Sequence, residues 1–129
     1  MKTSDMLRVE QCSSGEKTVY NVIGTVSLAN DGYLIAYTEP ETTAETKIRI
    51  YPTYCLLVRQ AEHKTVLKLH TEQASYLKVE SEYGEFTFEC EHVKISCSPD
   101  MWEIMYELKQ DPTHSPFYFR WSIEEEALA

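Results

Sequence analysis

Glycine is scarce in this sequence, and long apolar runs are missing. Four glycines spread over 129 residues leave no glycine-rich loop of the kind that cradles nucleotide phosphates. The first residues, Met1 to Met6, contain neither a long apolar run nor a small-residue cleavage site. We therefore expect no export signal and a cytoplasmic location. Helical periodicity is almost absent as well, which argues against a helical fold.

Basic side chains are the minority. Twelve Lys and Arg residues stand against twenty-one Asp and Glu residues, which gives a formal net charge of -9. A chain with this charge repels the phosphate backbone of nucleic acids and the headgroups of anionic lipids. Neither nucleic acid nor a membrane is therefore an expected partner.

Motifs for metal binding and catalysis are missing too. The cysteines form no Cys-x-x-Cys pair, and no Cys/His spacing matches a zinc site, so no metal and no cofactor is predicted. We expect the cysteines to be free and to act as small buried apolar side chains. No catalytic residues are predicted, and the sequence favours a protein that is not an enzyme. The residues concerned are Cys12, Cys55, Cys90 and Cys97, and His63, His70, His92 and His114.

Alternation of apolar and polar residues is the dominant pattern, in about ten short segments separated by turn residues, which is typical of β-strands. Asn30-Asp31-Gly32 is the strongest hairpin signal and is predicted to join Thr25–Leu28 to Tyr33–Glu39. Gly24 predicts a bend or bulge within its strand. Glu91-His92 is interpreted as a two-residue turn between two short strands.

Strands with one apolar face need a closed or stacked sheet, because an open sheet leaves that face in water and two edges unpaired. Short sequential loops favour a meander. The predicted fold is all-β, an antiparallel up-and-down calycin- or lipocalin-like β-barrel of about 8–10 strands. We expect a single barrel domain over residues 1–129, with residues 1–5 and 124–129 frayed.

A series of short segments, considered in their order and spacing, resembles a known family. The segments are Tyr37-Thr38-Glu39, Thr46-Lys47-Ile48, Arg59, Ser81-Glu82-Tyr83-Gly84-Glu85-Phe86 and Tyr106-Glu107-Leu108. They resemble the YwiB-like family of small bacterial calycin-like β-barrel proteins of unknown function, from about Val19 to Ile123. The sequence departs from the family pattern at Ala61, where a glycine is expected, and at Val79, where an aromatic residue is expected. The resemblance implies a calycin-type barrel and brings no activity with it.

Glu39 and Arg59 are the charged residues that the strand pattern singles out. Glu39 has the same parity as the apolar positions of its strand, and so does Arg59, which places both on the inward face. Such a pair would be held by bidentate hydrogen bonds and could receive a ligand carboxylate or phosphate. The alternative is a structural ion pair that closes the barrel end.

Four aromatic residues complete the candidate ligand site. Tyr37, Tyr83, Tyr106 and Trp121 could line an apolar cavity with polar tips, as ligand sites in barrel mouths require. The alternative is that these side chains are core residues, because alternate strand positions usually point into the core.

Three functions fit this pattern. The first is a binding module that holds a small apolar or amphipathic ligand in the barrel. The second is a structural or protein-interaction barrel, a homodimer, with a packed interior and no ligand. The third is an enzyme in which Arg59 and Glu39 act on a small anionic substrate.

Overall fold

The structure is a computed structural model that describes residues 3–13 and 15–124. Its strands are β1 (Thr3–Ser13), β2 (Glu16–Ala29), β3 (Gly32–Thr38), β4 (Glu45–Tyr51), β5 (Tyr54–Gln60), β6 (Lys64–His70), β7 (Ser75–Ser81), β8 (Gly84–Cys97), β9 (Met101–Leu108) and β10 (Phe117–Ile123). Within these two ranges no helix is long and apolar enough to cross a lipid bilayer.

The strands form a closed barrel in chain order. Each strand pairs antiparallel with the next, and β1 also pairs with β10. Leu7 of β1 lies opposite Val22 of β2 and opposite Ile123 of β10, so the sheet closes on itself. The prediction of an all-β, antiparallel up-and-down barrel is confirmed, with ten strands.

The barrel interior is filled by alternate side chains of every strand, as the period-two pattern requires. Trp102 and Trp121 are the largest of the fully buried side chains. They pack with aliphatic residues into one cluster of buried residues: Leu7, Val9, Val26, Ile35, Tyr37, Ile48, Ile50, Cys55, Leu57, Leu67, Leu69, Trp102, Ile104, Tyr106 and Trp121.

The predicted hairpin at Asn30-Asp31 is confirmed, since Ala29 pairs with Gly32 and Asn30 adopts a positive φ of 52°. No register shift occurs at Gly24, because its pairing with β1 runs through it unbroken and the pairing of β2 with β3 begins at Gly24. A Cβ atom there would lie 2.7 Å from the Leu7 Cδ1 atom and 2.7 Å from the Ala36 carbonyl oxygen. Glycine is therefore needed for close packing.

The predicted turn at Glu91-His92 is wrong. Residues 84–97 form the single strand β8, whose register with β9 shifts between Glu91 and Lys94. This irregularity is a β-bulge, and His92 in it adopts a positive φ of 54°. The extra residue moves the inward-facing positions from even to odd numbers, so that both Cys90 and Ile95 pack against the core.

The chain termini are tied into the sheet as far as they are described. Thr3 pairs with Val26, and the Glu124 backbone N–H donates to the Met6 carbonyl over 2.8 Å. The predicted fraying of residues 1–5 and 124–129 stays a prediction, and residues 1, 2 and 125–129 lie outside the described ranges. All four cysteines are free, as expected, and Cys55 is fully buried.

The loops that follow β1, β3, β5, β7 and β9 lie at the same end of the barrel, because successive strands run in opposite directions. We call this end the mouth. The side chains that border its interior include Gln11, Tyr20, Glu39, Arg59 and Phe119.

Candidate functional site

A bidentate ion pair lies in the mouth. Arg59 Nε is 2.6 Å from one carboxylate oxygen of Glu39, and Arg59 Nη2 is 3.0 Å from the other. The register explains the meeting, because Tyr37 of β3 pairs with Thr46 of β4, and Thr46 pairs with Arg59 of β5. Glu39 follows β3 at a position with the parity of the inward-facing residues. Its carboxylate therefore lies beside the Arg59 guanidinium, and the two groups form two parallel hydrogen bonds. The predicted inward placement of both residues is confirmed.

Two threonines complete the surroundings of the Glu39 carboxylate. Thr42 Oγ1 donates to Oε1 over 2.8 Å, and Thr46 Oγ1 donates to Oε2 over 3.1 Å. The loop after β3 is fixed by two backbone bonds, from the Thr43 N–H to the Glu39 carbonyl and from the Glu39 N–H to the Ala44 carbonyl. Each oxygen of Glu39 therefore accepts two hydrogen bonds, which uses its full accepting capacity.

The ion pair is held in its charged form. Burial raises the pKa of Glu39, but hydrogen bonds from Arg59 and Thr42 and the charge of Arg59 outweigh burial, so that the net pKa lies below its ordinary value. The hydrogen bond to Glu39 raises the pKa of Arg59. Glu39 is therefore a carboxylate at neutral pH and a weak proton acceptor.

A chain of hydrogen-bonding side chains runs from the core to the mouth. The indole N–H of Trp121 donates to the Tyr37 hydroxyl over 3.0 Å. The Tyr37 hydroxyl meets that of Tyr20, whose oxygen also accepts from Gln11 Nε2 over 3.4 Å. Burial raises the pKa of Tyr37 and of Tyr20, so both stay protonated. The chain therefore presents neutral hydroxyl groups to the mouth.

An inner cavity of about 260 Å³ lies beneath the ion pair. Part of its lining is polar, and the rest is formed by aliphatic and aromatic side chains from five strands: Leu57, Leu67, Leu77, Tyr106 and Phe119. Burial raises the pKa of Tyr106, which is 3% exposed and stays neutral. The cavity is therefore amphipathic, which is the usual character of small-molecule sites.

An outer cavity of about 540 Å³ lies on the solvent side of the ion pair, lined by Tyr20, Thr18, Val19 and the loop from Pro40 to Thr42. Gln11, Glu39 and Arg59 line both cavities. The ion pair thus stands where the two spaces meet.

The candidate residues fall into three groups. Tyr37, Glu39, Arg59 and Tyr106 line the inner cavity. Trp121 is fully buried behind Tyr37 and reaches the site only through its hydrogen bond. The prediction for Tyr83 is corrected, because Tyr83 lies in the turn between β7 and β8 and is 82% exposed. A turn residue has no strand parity, so the pattern could not place it.

Sequence reasoning missed Gln11, Tyr20 and Phe119, which line the two cavities. A usable signal existed for Gln11, since it has the inward parity of Leu7 and Val9 but is polar. In the described ranges no group of three or more His, Cys, Asp or Glu residues could hold a metal ion.

Comparison with known proteins shows which family model matches the chain and which solved structure has a similar fold. The sequence model of DUF1934, a domain of unknown function, matches residues 6–118. No curated protein matches the chain in sequence. The crystal structure of the YwiB protein from Bacillus subtilis is similar with a TM-score of 0.65 and 14% identity, covering 96% of this chain and 94% of that one. At this identity the likeness shows the fold alone, and membership of the calycin class stays a prediction.

Proposed function

Because the chain belongs to the DUF1934 family, whose function is unknown, we propose a function from the geometry of the mouth: a non-enzymatic protein that binds one small amphipathic molecule. The inner cavity carries this proposal. It interrupts an otherwise packed interior, and its lining combines polar with apolar side chains. A purely structural barrel gains nothing from such a cavity, since unfilled space in a core destabilises the fold.

The size of the cavity limits the ligand. About 260 Å³ corresponds to the share of roughly nine water molecules in liquid water. A molecule of about ten non-hydrogen atoms therefore fits, with its apolar part against Leu57, Leu67 and Leu77 and its polar end at Arg59. Larger ligands would extend into the outer cavity.

Binding is favoured over catalysis because Glu39 and Arg59 are hydrogen-bonded to each other. Glu39 accepts four hydrogen bonds, and its pKa is lowered, so it is not poised to take a proton near neutral pH.

We place the protein in the cytoplasm, where its four free thiols would stay reduced.

The test is a titration with octan-2-one, a nine-heavy-atom amphipathic probe, followed by two-dimensional methyl NMR. We expect the methyl signals of Leu57, Leu67 and Leu77 to shift together, whereas those of Leu28, which is 74% exposed, stay in place. A Leu77→Trp variant fills the cavity and should abolish these shifts, with thermal unfolding as the check that it folds. Cavity methyls that never move, or shifts that survive in a folded Leu77→Trp protein, would overturn the proposal.

A groove on the outer face favours a second candidate, assembly with another copy of this chain. The groove measures about 410 Å³, and the exposed cations Lys47 and Arg49 of β4 lie in it between Leu34 and Ala36 of β3 and Leu56 and Val58 of β5. A symmetric contact would bring the cations of both copies together, which is unfavourable. The acidic outer positions of β8 and β9, such as Glu89, Glu103 and Glu107, complement the groove in charge.

Sedimentation velocity at low and high salt tests this second candidate. We expect concentration-dependent association at low salt that is lost at high salt, since salt screens the attraction between Lys47 and Arg49 and the acidic residues of the other copy. A Lys47→Glu/Arg49→Glu variant should stay monomeric, and mixing it with a Glu103→Lys/Glu107→Lys variant should restore association. A monomer at every salt and protein concentration would remove the candidate.

A further inference from the structure

The Glu39 carboxylate has no hydrogen-bonding capacity left for a ligand. The Glu39 carboxylate already accepts from Arg59 Nε, Arg59 Nη2, Thr42 and Thr46, at 2.6 to 3.1 Å. A carboxylate has about four accepting positions. The most conspicuous acceptor in the mouth is therefore unavailable to a ligand.

The guanidinium of Arg59 keeps unused donors. Its Nε and one Nη2 hydrogen are directed at Glu39, and the nearest other acceptor of Nη2 is Thr42 Oγ1 at 3.5 Å, a long contact. In the part of the chain that the structure describes, no acceptor is found for Nη1. Arg59 lines both cavities, so its free amino edge borders the space that a ligand would occupy.

The Tyr20 hydroxyl also keeps its proton for a further partner. Gln11 Nε2 donates to the Tyr20 oxygen over 3.4 Å. Among the described residues no acceptor within hydrogen-bond distance is found for the Tyr20 O–H, and Tyr20 lines the outer cavity beside Arg59.

We infer that the ligand's polar end is an acceptor oxygen, of a carbonyl or carboxylate group, received by the Tyr20 hydroxyl and the free edge of Arg59. This inference rests on the proposed binding function and names the chemistry of its ligand. A donor-only group such as ammonium is disfavoured between Arg59 and Tyr20, because there it meets the guanidinium, the Tyr20 O–H and a carboxylate whose accepting positions are filled.

The charge of the mouth also bears on whether the ligand's acceptor oxygen belongs to an anionic carboxylate or to a neutral carbonyl. Glu39 neutralises Arg59 over 2.6 Å, and the chain carries a formal charge of -9, so the mouth offers no net positive charge to an anion. A carboxylate therefore has no advantage over a neutral carbonyl of the same length. Recognition comes from hydrogen-bond donors and not from net charge.

The experiment compares three eight-carbon probes: octan-2-one, octanoate and octylamine, the last as its ammonium form at neutral pH. Affinities are measured by methyl NMR titration on the full chain. We expect octan-2-one and octanoate to bind within about threefold of each other and octylamine at least about tenfold more weakly. Tyr20→Phe should weaken octan-2-one by about three- to tenfold and leave octylamine unchanged. Tyr118→Phe, on the outer face of β10, is the matched control.

The outcomes separate the two proposals. If no probe moves the cavity methyls, the proposed binding function fails. If the probes bind but octylamine equals the ketone, or if Tyr20→Phe leaves the ketone's affinity unchanged, the binding function stands and the acceptor inference is overturned. Folding of Tyr20→Phe is checked by its thermal unfolding midpoint.

Discussion

The indole nitrogen of Trp121 donates a hydrogen bond to the Tyr37 hydroxyl over 3.0 Å, across the interior of the barrel. The two residues belong to β10 and β3, which are separated in the barrel wall by β1 and β2. Both side chains are buried, at 0% and 7% exposure. The bond therefore joins two strands that do not pair with each other, and it does so inside the core.

Removing the Tyr37 hydroxyl should destabilise the barrel. Tyr37→Phe leaves the Trp121 N–H without its acceptor in a buried place, and we expect a loss of about 1–3 kcal/mol in the free energy of unfolding. Urea denaturation of Tyr37→Phe, Trp121→Phe and the double variant measures the coupling. We expect the double variant to lose less than the sum of the single losses. Additive losses would contradict the coupling.

The Glu39 carboxylate should make stability dependent on pH in acid. Its pKa is lowered in the folded state from an ordinary value of 4.5, so its contribution is complete above this value and is lost as pH falls through the folded pKa. We expect the gap in unfolding midpoint between the native chain and Glu39→Gln to be largest at about pH 7 and to shrink toward about pH 3.

Glu45→Gln is the matched control for this measurement, because Glu45 is exposed on the outer face of β4. Because its side chain is exposed, Glu45→Gln should change the unfolding midpoint only slightly. If the difference in unfolding midpoint between the native chain and Glu39→Gln widened as pH falls, Glu39 would not be a carboxylate that Arg59 stabilises.

Gly24→Ala should be costly although it adds only one methyl group. The added Cβ would lie 2.7 Å from the Ala36 carbonyl oxygen, which is backbone and cannot rotate away. We expect a loss of about 1–3 kcal/mol by chemical denaturation. Asn21→Ala, exposed on the same strand, should change stability little. Equal stability of the two variants would show that β2 can move aside.

The bulge in β8 should depend on the backbone conformation of His92. Valine at this position must adopt a positive φ, here 54°, which is unfavourable for a β-branched residue, whereas glycine adopts it freely. Both substitutions remove the contact with Glu107, so their difference isolates the backbone. We expect His92→Val to unfold about 1–3 kcal/mol more easily than His92→Gly. A smaller loss for valine would refute the assignment.

Strand parity and short loops were enough to predict the barrel and the meeting of Glu39 with Arg59. Both residues sit on inward positions, and the meander brings β3, β4 and β5 side by side. Strand parity also led to the wrong prediction of a turn at Glu91-His92. A change from even to odd inward positions arises equally from a turn or from a bulge, and only the hydrogen-bond register with β9 distinguishes them.

The cavity could not be predicted in this way. Its volume depends on how far the inward side chains of eight strands fall short of filling the space between them. The stagger of strands in a barrel is not encoded in the alternation of apolar and polar residues. Tyr20 was missed for a related reason. Its role follows from the side chains that reach it, Gln11 from β1 and Tyr37 from β3, and not from its place in β2.

The pairing of β1 with β10 also bears on how the chain is made. As the chain leaves the ribosome, β1 through β9 can pair with their neighbours one after another, but β1 keeps one edge open until β10 follows. The closing contact between Leu7 and Ile123 spans nearly the whole described chain, so it carries the largest loop-closure entropy. Until then the nascent sheet has two unpaired edges and an unfilled interior that lacks Trp121. Protection of this intermediate by a chaperone would matter most during the last steps of synthesis.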